Sequence, residues 1–130
     1  MESVFSEFFS LKGKTAVITG GGRGIGKGLG TMLARAGADI VIWDINQENA
    51  RAAAKEIAEL TGVKTYSFVS DITKKEEIKD DVKKIIAMCE RVDILINNAG
   101  IQVRKPALDI SIQEWDSVIA THVTATFLIT

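Results

Sequence analysis

The chain has 130 residues, a formal net charge of -1 and a hydrophobic fraction of 46%, values that suit one globular domain. This balance gives no basic face for nucleic acid or an anionic membrane, and no apolar run reaches the roughly 20 residues of a membrane span. The single cysteine, Cys89, excludes an internal disulfide, and residues 1–5 lack the basic segment of a signal peptide, so we expect a cytoplasmic protein.

Strand and helix patterns alternate along the chain. Short apolar runs predict strands, and apolar residues spaced by three or four positions predict helices. In chain order we predict strand 15–18, helix 25–36, strand 39–43, helix 47–60, strand 64–69, a helix from the capping box at 73–76 to residue 89, strand 92–96, and a helix from the capping box at 111–114 to residue 127. The helix over 25–36 is expected to bury Ile25, Leu29, Met32, Leu33 and Ala36.

The order of these elements defines the fold class. Apolar runs such as 15–18 and 92–96 are typical of strands that are covered on both faces. Strict alternation of strands and helices produces a parallel sheet with right-handed crossovers. We therefore predict a single α/β domain over residues 1–130, a Rossmann-type doubly wound parallel sheet that is truncated after the fourth strand and the helix following it.

The turn after the first predicted strand is rich in glycine and reads Thr19-Gly20-Gly21-Gly22-Arg23-Gly24-Ile25-Gly26. Backbone without Cβ atoms can approach phosphate oxygens, and the positive end of the following helix favours negative charge. The pattern G-x-G-x-x-G fails in every register, and the P-loop pattern is followed by Gly28 instead of a hydroxyl residue for magnesium. The turn predicts the pyrophosphate site of a dinucleotide, and a plain tight connection is the alternative.

Asp44 closes the second predicted strand about 24 positions after Gly20, near where dinucleotide folds place an acid on the adenosine ribose. The Asp44 carboxylate would repel the 2′-phosphate of NADP and therefore favours NAD. Ile45, the next residue, is expected to border the same part of the cofactor. Arg23 argues the other way, because a cation beside the ribose can pair with that phosphate. We predict NAD with NADP left open, and a helix cap or turn residue is the alternative for Asp44.

The glycine turn matches T-G-x-x-x-G-x-G, the cofactor signature of the short-chain dehydrogenase/reductase family, and the chain resembles that family over nearly its whole length. Asn97-Asn98-Ala99-Gly100 matches the family's N-N-A-G motif, and Ser70-Asp71-Ile72 resembles its adenine pocket. A plain N-terminal helix charge is the alternative for Asp71. The resemblance implies that the cofactor-binding residues are Thr19, Gly20, Gly22, Arg23, Gly24, Ile25, Gly26, Asp44, Ile45, Asp71, Ile72, Asn98, Ala99 and Gly100.

The chain departs from this family at two places. His122 stands where the family has the asparagine of its catalytic tetrad, and a histidine can carry a proton near neutral pH. A packed or surface histidine is the alternative. The chain reaches Thr130 before the family's serine and Tyr-x-x-x-Lys, so we expect these residues to hold the hydride carrier without supplying the proton donor.

The substrate is indicated only by a further resemblance. Residues 9–14 and 98–106 are similar to sugar-acid dehydrogenases of the gluconate 5-dehydrogenase type, which implies that Arg104 clamps a substrate carboxylate. An exposed loop cation is the alternative. We predict an NAD-dependent alcohol or polyol dehydrogenase that acts on a small molecule, has no metal site and forms the homo-oligomer common in this family. A non-catalytic dinucleotide-binding module is the rival prediction.

Overall fold

The computed structural model describes residues 4–130, apart from the side chain of residue 5, so the prediction drawn from residues 1–5 lies largely outside the described residues. The strands are β1 (Thr15–Thr19), β2 (Asp39–Asp44), β3 (Thr65–Val69) and β4 (Ile94–Ile96). The helices are α1 (Val4–Phe8), α2 (Gly24–Arg35), α3 (Gln47–Thr61), α4 (Ile78–Cys89), α5 (Ile112–Ile119) and α6 (Ala125–Ile129), with a 3-10 turn at Ala107–Asp109 and a π-helical turn at Ala120–Thr124.

The four strands form one parallel sheet in the order β3-β2-β1-β4, which confirms the predicted doubly wound fold. Alternate residues of the two central strands point to opposite faces. Ile18 and Ile42 join the cluster under α2 and α3, while Val17 and Trp43 join the cluster under α4 and α6. Helices therefore cover both faces of the sheet. No helix that the structure describes is long and apolar enough to cross a membrane.

The predicted buried face of α2 is only partly right: Leu33 packs against the core, but Ile25, Leu29 and Met32 are exposed. Ile25 is 78% exposed and Met32 62% exposed, whereas the buried positions are Gly26, Gly30 and Ala34. These three residues recur every fourth position, so they form one stripe along the helix. A Cβ on Gly30 would lie 3.4 Å from the Cδ1 atoms of Ile42 and Ile57. The small residues let the α2 backbone lie directly on the sheet, so that of the predicted large side chains only Leu33 reaches the core while Ile25 and Met32 face solvent.

Two predicted boundaries are also corrected. The capping box at 73–76 does not form, because α4 begins at Ile78 and the Thr73 hydroxyl donates instead to Asp71 Oδ1 at 2.7 Å. The fourth strand covers only Ile94–Ile96 and is half-buried, not fully buried, because β4 lies at the edge of the sheet. By contrast, the capping box of Ser111 and Glu114 is present at the start of α5, as predicted.

The last predicted helix is divided by the π-helical turn at Ala120–Thr124. π-Helical turns accommodate one extra residue and often occur at functional sites. The expected apolar face of this helix is largely exposed in the described chain, with Trp115, Val123 and Phe127 all more than half exposed. The turn contains His122, whose surroundings are described below.

Candidate functional site

A cleft of about 580 Å³ opens beside the carboxyl ends of the strands. β1 pairs with β2 on one side and with β4 on the other, so the connections that leave β1 and β4 diverge at this point. Such a switch point is where doubly wound sheets bind ligands. The predicted residues that line the cleft are Gly20, Arg23, Gly24, Ile25, Gly26, Asp44, Ile45, Asp71, Ile72, Asn98, Ala99 and Gly100.

The glycine turn and the N-N-A-G segment touch each other through their backbones. Gly20 has a positive φ of 63°, and a Cβ built on it would lie 2.8 Å from Ala99 Cα. A Cβ on Gly26 would collide with the carbonyl oxygen of Gly20 and with the amide nitrogen of Asn98. Glycine is therefore required at both positions by the close approach of the two segments.

Thr19 and Asn98 fix this contact with hydrogen bonds. The Thr19 hydroxyl oxygen accepts from the backbone N–H groups of Asn98 and Ala99, both at 3.1 Å. The Asn98 side chain donates to the carbonyl oxygens of Thr19 and Gly20, also at 3.1 Å. Thr19 is buried and does not line the cleft, so the structure gives it a supporting position under the glycine turn.

The amino end of α2 opens into the cleft. Its N-cap residue is Arg23, and within residues 4–130 no side chain caps its first turn. Gly24 has a positive φ of 56°, and no atom of the described chain lies within 4 Å of where its Cβ would be. The first-turn N–H groups and the bare backbone face of Gly24 form a surface that an anion can approach closely.

Asp44 braces the glycine turn from the end of β2. Its Oδ2 accepts from the backbone N–H of Gly22 and its Oδ1 from that of Asn46, both at 2.9 Å. A Cβ on Gly22 would lie 2.7 Å from Asp44 Oδ2, which explains the glycine there even though Gly22 itself does not line the cleft. Asn46 is the N-cap of α3, so Asp44 is a turn residue and not the helix cap.

Asp71 organises the turn after β3. Its Oδ1 accepts from the backbone N–H of Thr73 at 2.9 Å and from the Thr73 hydroxyl. Since α4 begins at Ile78, the alternative that Asp71 is an N-terminal helix charge is wrong. Asp44 is in register with Val69, so the segments that follow β2 and β3 emerge side by side at one end of the cleft.

Several cleft residues were not predicted from the sequence. Trp43 lies in the wall, and its indole N–H donates to the Ser70 hydroxyl at 2.8 Å. Ser117 and Thr121 line the opposite end, where their spacing of four positions on the last helical segment was the available signal. The remaining unpredicted residues of the wall are Thr73 and Ile101.

His122 and Arg104 lie outside the cleft wall. The Nε2 atom of His122 is within hydrogen-bond distance of the backbone of Ile101, which does line the cleft. Arg104 is exposed, and its Nε donates to the Gln102 side chain at 3.0 Å. The neighbouring Lys105 pairs with Glu114 at 2.5 Å. This hydrogen bond, followed by one from the Ser111 backbone, lowers the pKa of the Glu114 carboxyl below its ordinary value.

The described residues contain no group of three or more His, Cys, Asp or Glu side chains that could hold a metal ion. What the site offers is backbone N–H groups, two bordering carboxylates and a cleft at the switch point of the sheet. The fold and the site together define a Rossmann-type domain with a ligand cleft at its carboxyl edge.

Comparison with known proteins identifies the family. A sequence model of short chain dehydrogenases matches residues 14–130. The chain is 38% identical to the 3-oxoacyl-(acyl-carrier-protein) reductase FabG of Aquifex aeolicus, covering 92% of this chain and 48% of the relative. It is 40% identical to the 5-keto-D-gluconate 5-reductase of Escherichia coli strain K12, covering 95% and 48%. The chain belongs to the short-chain dehydrogenase family, and both predicted resemblances are confirmed.

The fold agrees with solved structures of this family. L-sorbose reductase from Gluconobacter frateurii, complexed with NADPH and L-sorbose, superposes with a TM-score of 0.87 at 27% identity, covering 93% of this chain and 46% of that one. The chain thus spans about half the length of the relatives it matches.

Proposed function

We propose that this chain holds the dinucleotide of an NAD(P)(H)-dependent dehydrogenase that transfers a hydride between nicotinamide and an alcohol or ketone. The observation that carries the proposal is the cleft. Twelve of the fourteen predicted cofactor residues line it, the exceptions being Thr19, which supports the glycine turn from beneath, and Gly22, a turn residue that donates to Asp44. Membership of a family whose relatives are named as reductases supports the same reaction class.

The cleft residues suit a dinucleotide. The uncapped amino end of α2 and the open face of Gly24 would receive the pyrophosphate. Asp44 would accept from the hydroxyls of the adenosine ribose, and the segment containing Asp71 and Ile72 would border the adenine. The cofactor, when bound, supplies the hydride carrier, while these residues bind and orient it.

We further propose NAD as the preferred cofactor. The Asp44 carboxylate stands beside the glycine turn, where a 2′-phosphate would meet a like charge. Arg23 also lines the cleft, and no carboxylate within residues 4–130 pairs with it, which supports some binding of NADP. The related L-sorbose reductase is complexed with NADPH. We give Asp44 the greater weight, because an acid at the end of β2 is the more direct obstacle to a 2′-phosphate.

The substrate proposal is a sugar acid or polyol. It is supported by the relative named 5-keto-D-gluconate 5-reductase and by Arg104, whose guanidinium is exposed on the loop beyond Ile101. A carboxylate would be bound by the guanidinium face that Gln102 leaves free. We propose a homo-oligomer as well, because Trp115 and Phe127 leave an exposed apolar face on the last helical segment.

Fluorescence titration with NADH tests the cofactor proposal. We expect saturable binding by the wild-type chain, and its absence would refute the proposal. Asp44→Ala should weaken the binding of NADH and lower the preference for NADH over NADPH. Arg23→Ala should raise that preference. Asp80→Ala, which removes an exposed carboxylate paired with Lys83 outside the cleft, is the matched control and should leave both affinities unchanged.

The second candidate is a non-catalytic dinucleotide-binding module. Residues 1–130 contain no Tyr-x-x-x-Lys element, which this candidate accommodates as well as the dehydrogenase does, because the chain spans about half the length of its relatives. Oxidation of NADH in the presence of 5-keto-sugar acids distinguishes the two candidates. Saturable NADH binding without turnover of 5-keto-sugar acids, by a protein extended to the length of its relatives, would refute the sugar-acid proposal, and the absence of turnover with 3-oxoacyl and other ketone substrates as well would favour the module.

A further inference from the structure

The π-helical turn brings the imidazole of His122 against the segment that follows the N-N-A-G motif. Its Nε2 lies 3.1 Å from the backbone nitrogen of Ile101 and 2.8 Å from the backbone oxygen of the same residue. A Cβ built on Gly100 would lie 2.6 Å from His122 Cε1. The ring therefore covers Gly100 and hydrogen-bonds to the next residue.

The glycine at position 100 is explained by this ring. The glycines with a positive φ in the described chain are Gly13, Gly20, Gly24, Gly37 and Gly62, and Gly100 is not among them. Its backbone conformation is thus open to other residues, and the missing side chain is required by space. The His122 ring occupies the position that a Cβ atom on residue 100 would need.

The bond to Ile101 does not depend on which ring nitrogen carries the proton. An unprotonated Nε2 accepts from the Ile101 N–H, and a protonated Nε2 donates to the Ile101 carbonyl oxygen. Both partners are within reach of the same ring position. The imidazole can therefore hold this residue in either form.

Little else holds this stretch of the cleft wall. In the described chain, the hydrogen bonds that tie residues 100–104 to another element are those between Ile101 and His122, since Arg104 bonds only within the loop. Gly100 and Ile101 line the end of the cleft that also contains Ser117 and Thr121, away from the end marked by Asp44. If the adenosine lies beside Asp44, the nicotinamide lies near Gly100 and Ile101.

We propose that His122 is a positioning residue that fixes the Gly100–Ile101 segment as the nicotinamide-side wall of the cleft. The inference rests on the proposed cofactor function for its ligand, although the clamp itself is a property of this chain alone. It assigns His122 a role through the backbone of Ile101 instead of a proton transfer to substrate.

Amide hydrogen exchange of the full chain tests the clamp without any ligand. Where Nε2 accepts from the Ile101 N–H, we expect the Ile101 amide to exchange roughly tenfold faster in His122→Ala; where Nε2 donates to the Ile101 carbonyl oxygen, we expect the Ile101 carbonyl carbon chemical shift to move, because that hydrogen bond is lost. His122→Gln should retain most of the protection, since its amide reaches about as far as Nε2 and both donates and accepts. Val123→Ala, a change of an exposed neighbour in the same turn, is the control and should exchange like the wild type. Equal Ile101 amide exchange together with equal Ile101 carbonyl chemical shifts in His122→Ala and Val123→Ala would overturn the clamp.

Gly100→Ala provides a second variant. The added Cβ should displace the ring and speed Ile101 exchange in the wild-type background, yet add nothing in a His122→Ala background, where the space is free. Additive effects of the two substitutions would contradict the proposal.

Ligand titration then tests the functional part. His122→Ala should weaken the binding of NADH several-fold but leave unchanged the affinity for ADP-ribose, which lacks the nicotinamide. His122→Gln should restore NADH binding. An equal loss for both ligands would refute the nicotinamide-side placement, and a failure of glutamine to restore NADH binding would refute positioning through the hydrogen bond to Ile101. If the wild-type chain binds neither ligand, the proposed function fails, while Ile101 exchange still decides the clamp.

Discussion

Two glycines of α2 provide a matched test of the contact between the glycine turn and the N-N-A-G segment. Gly26 and Gly28 both lie within the helix Gly24–Arg35, but their surroundings differ. A Cβ on Gly26 would collide with the Gly20 carbonyl oxygen and the Asn98 side chain, whereas a Cβ on Gly28 would meet no atom within 4 Å. Gly26→Ala and Gly28→Ala therefore make the same chemical change with and without a steric obstacle.

The two substitutions are expected to change the free energy of unfolding in opposite directions. Alanine in place of a helical glycine stabilises by about 0.5–1 kcal/mol, so Gly28→Ala should raise the free energy of unfolding by that amount. In Gly26→Ala the same gain is opposed by overpacking, which costs about 1–3 kcal/mol and stands at the upper end when the obstacle is backbone. With an overpacking cost of about 2–3 kcal/mol, we expect a net loss of about 1–2.5 kcal/mol for Gly26→Ala. Because the helix gain is common to both variants, they should differ by that overpacking cost, about 2–3 kcal/mol.

Urea unfolding measures this difference. Trp43 is buried and reports on the sheet, and Trp115→Phe removes the emission of the exposed second tryptophan from all variants. Displacement of Asn98 also removes donors to Thr19 and Gly20, so Gly26→Ala should lose NADH affinity while Gly28→Ala retains it. Equal unfolding midpoints and equal NADH affinities for the two variants would refute the close approach of the two segments.

Three further predictions concern single interactions. Ser111→Ala removes the capping box of α5 and should lower the free energy of unfolding by about 1 kcal/mol in urea titrations. The hydrogen bond from Lys105 is the first cause of the lowered pKa of the Glu114 carboxyl. The ionised carboxylate therefore stabilises the fold above its ordinary pKa of 4.5, and this stabilisation is lost as the pH falls through the lowered pKa of the folded state. Glu114→Gln should flatten the acid side of a plot of unfolding free energy against pH. Trp43→Phe and Ser70→Ala each remove one 2.8 Å hydrogen bond, so a double-mutant cycle should give a coupling of about 1 kcal/mol, and additive losses would show that the bond contributes nothing.

The strands, their alternation with helices along the chain and hence a parallel sheet could be predicted, because buried runs and strand-helix alternation are local patterns. The buried face of α2 could not, since hydrophobicity selects Ile25 and Met32 while the sheet accepts only Gly26, Gly30 and Ala34 at that distance. The buried face is determined by how closely the α2 backbone approaches β1 and β2, and the hydrophobic periodicity of the sequence carries no information about that distance.

The start of α4 was missed for a different reason. The Thr73 hydroxyl has two available partners, the first turn of a helix or the Asp71 carboxylate, and both are consistent with the sequence. The structure uses the second, so residues 73–77 form turns and the helix begins at Ile78. A side chain that can cap either of two structures does not by itself determine where a helix begins.

The structural role of Asp44 leaves room for the proposed cofactor role in the same carboxylate. Each carboxylate oxygen of Asp44 accepts one hydrogen bond, from the backbone N–H of Gly22 or of Asn46. A carboxylate has about four lone-pair sites that can accept hydrogen bonds, so two remain. It can therefore brace the glycine turn and still accept from a ribose. Asp44→Ala removes both interactions, so a loss of NADH affinity would follow from either role. Only the ratio of NADH to NADPH affinity isolates the ribose contact, because a disturbed turn weakens both cofactors alike while a removed carboxylate favours the phosphorylated one.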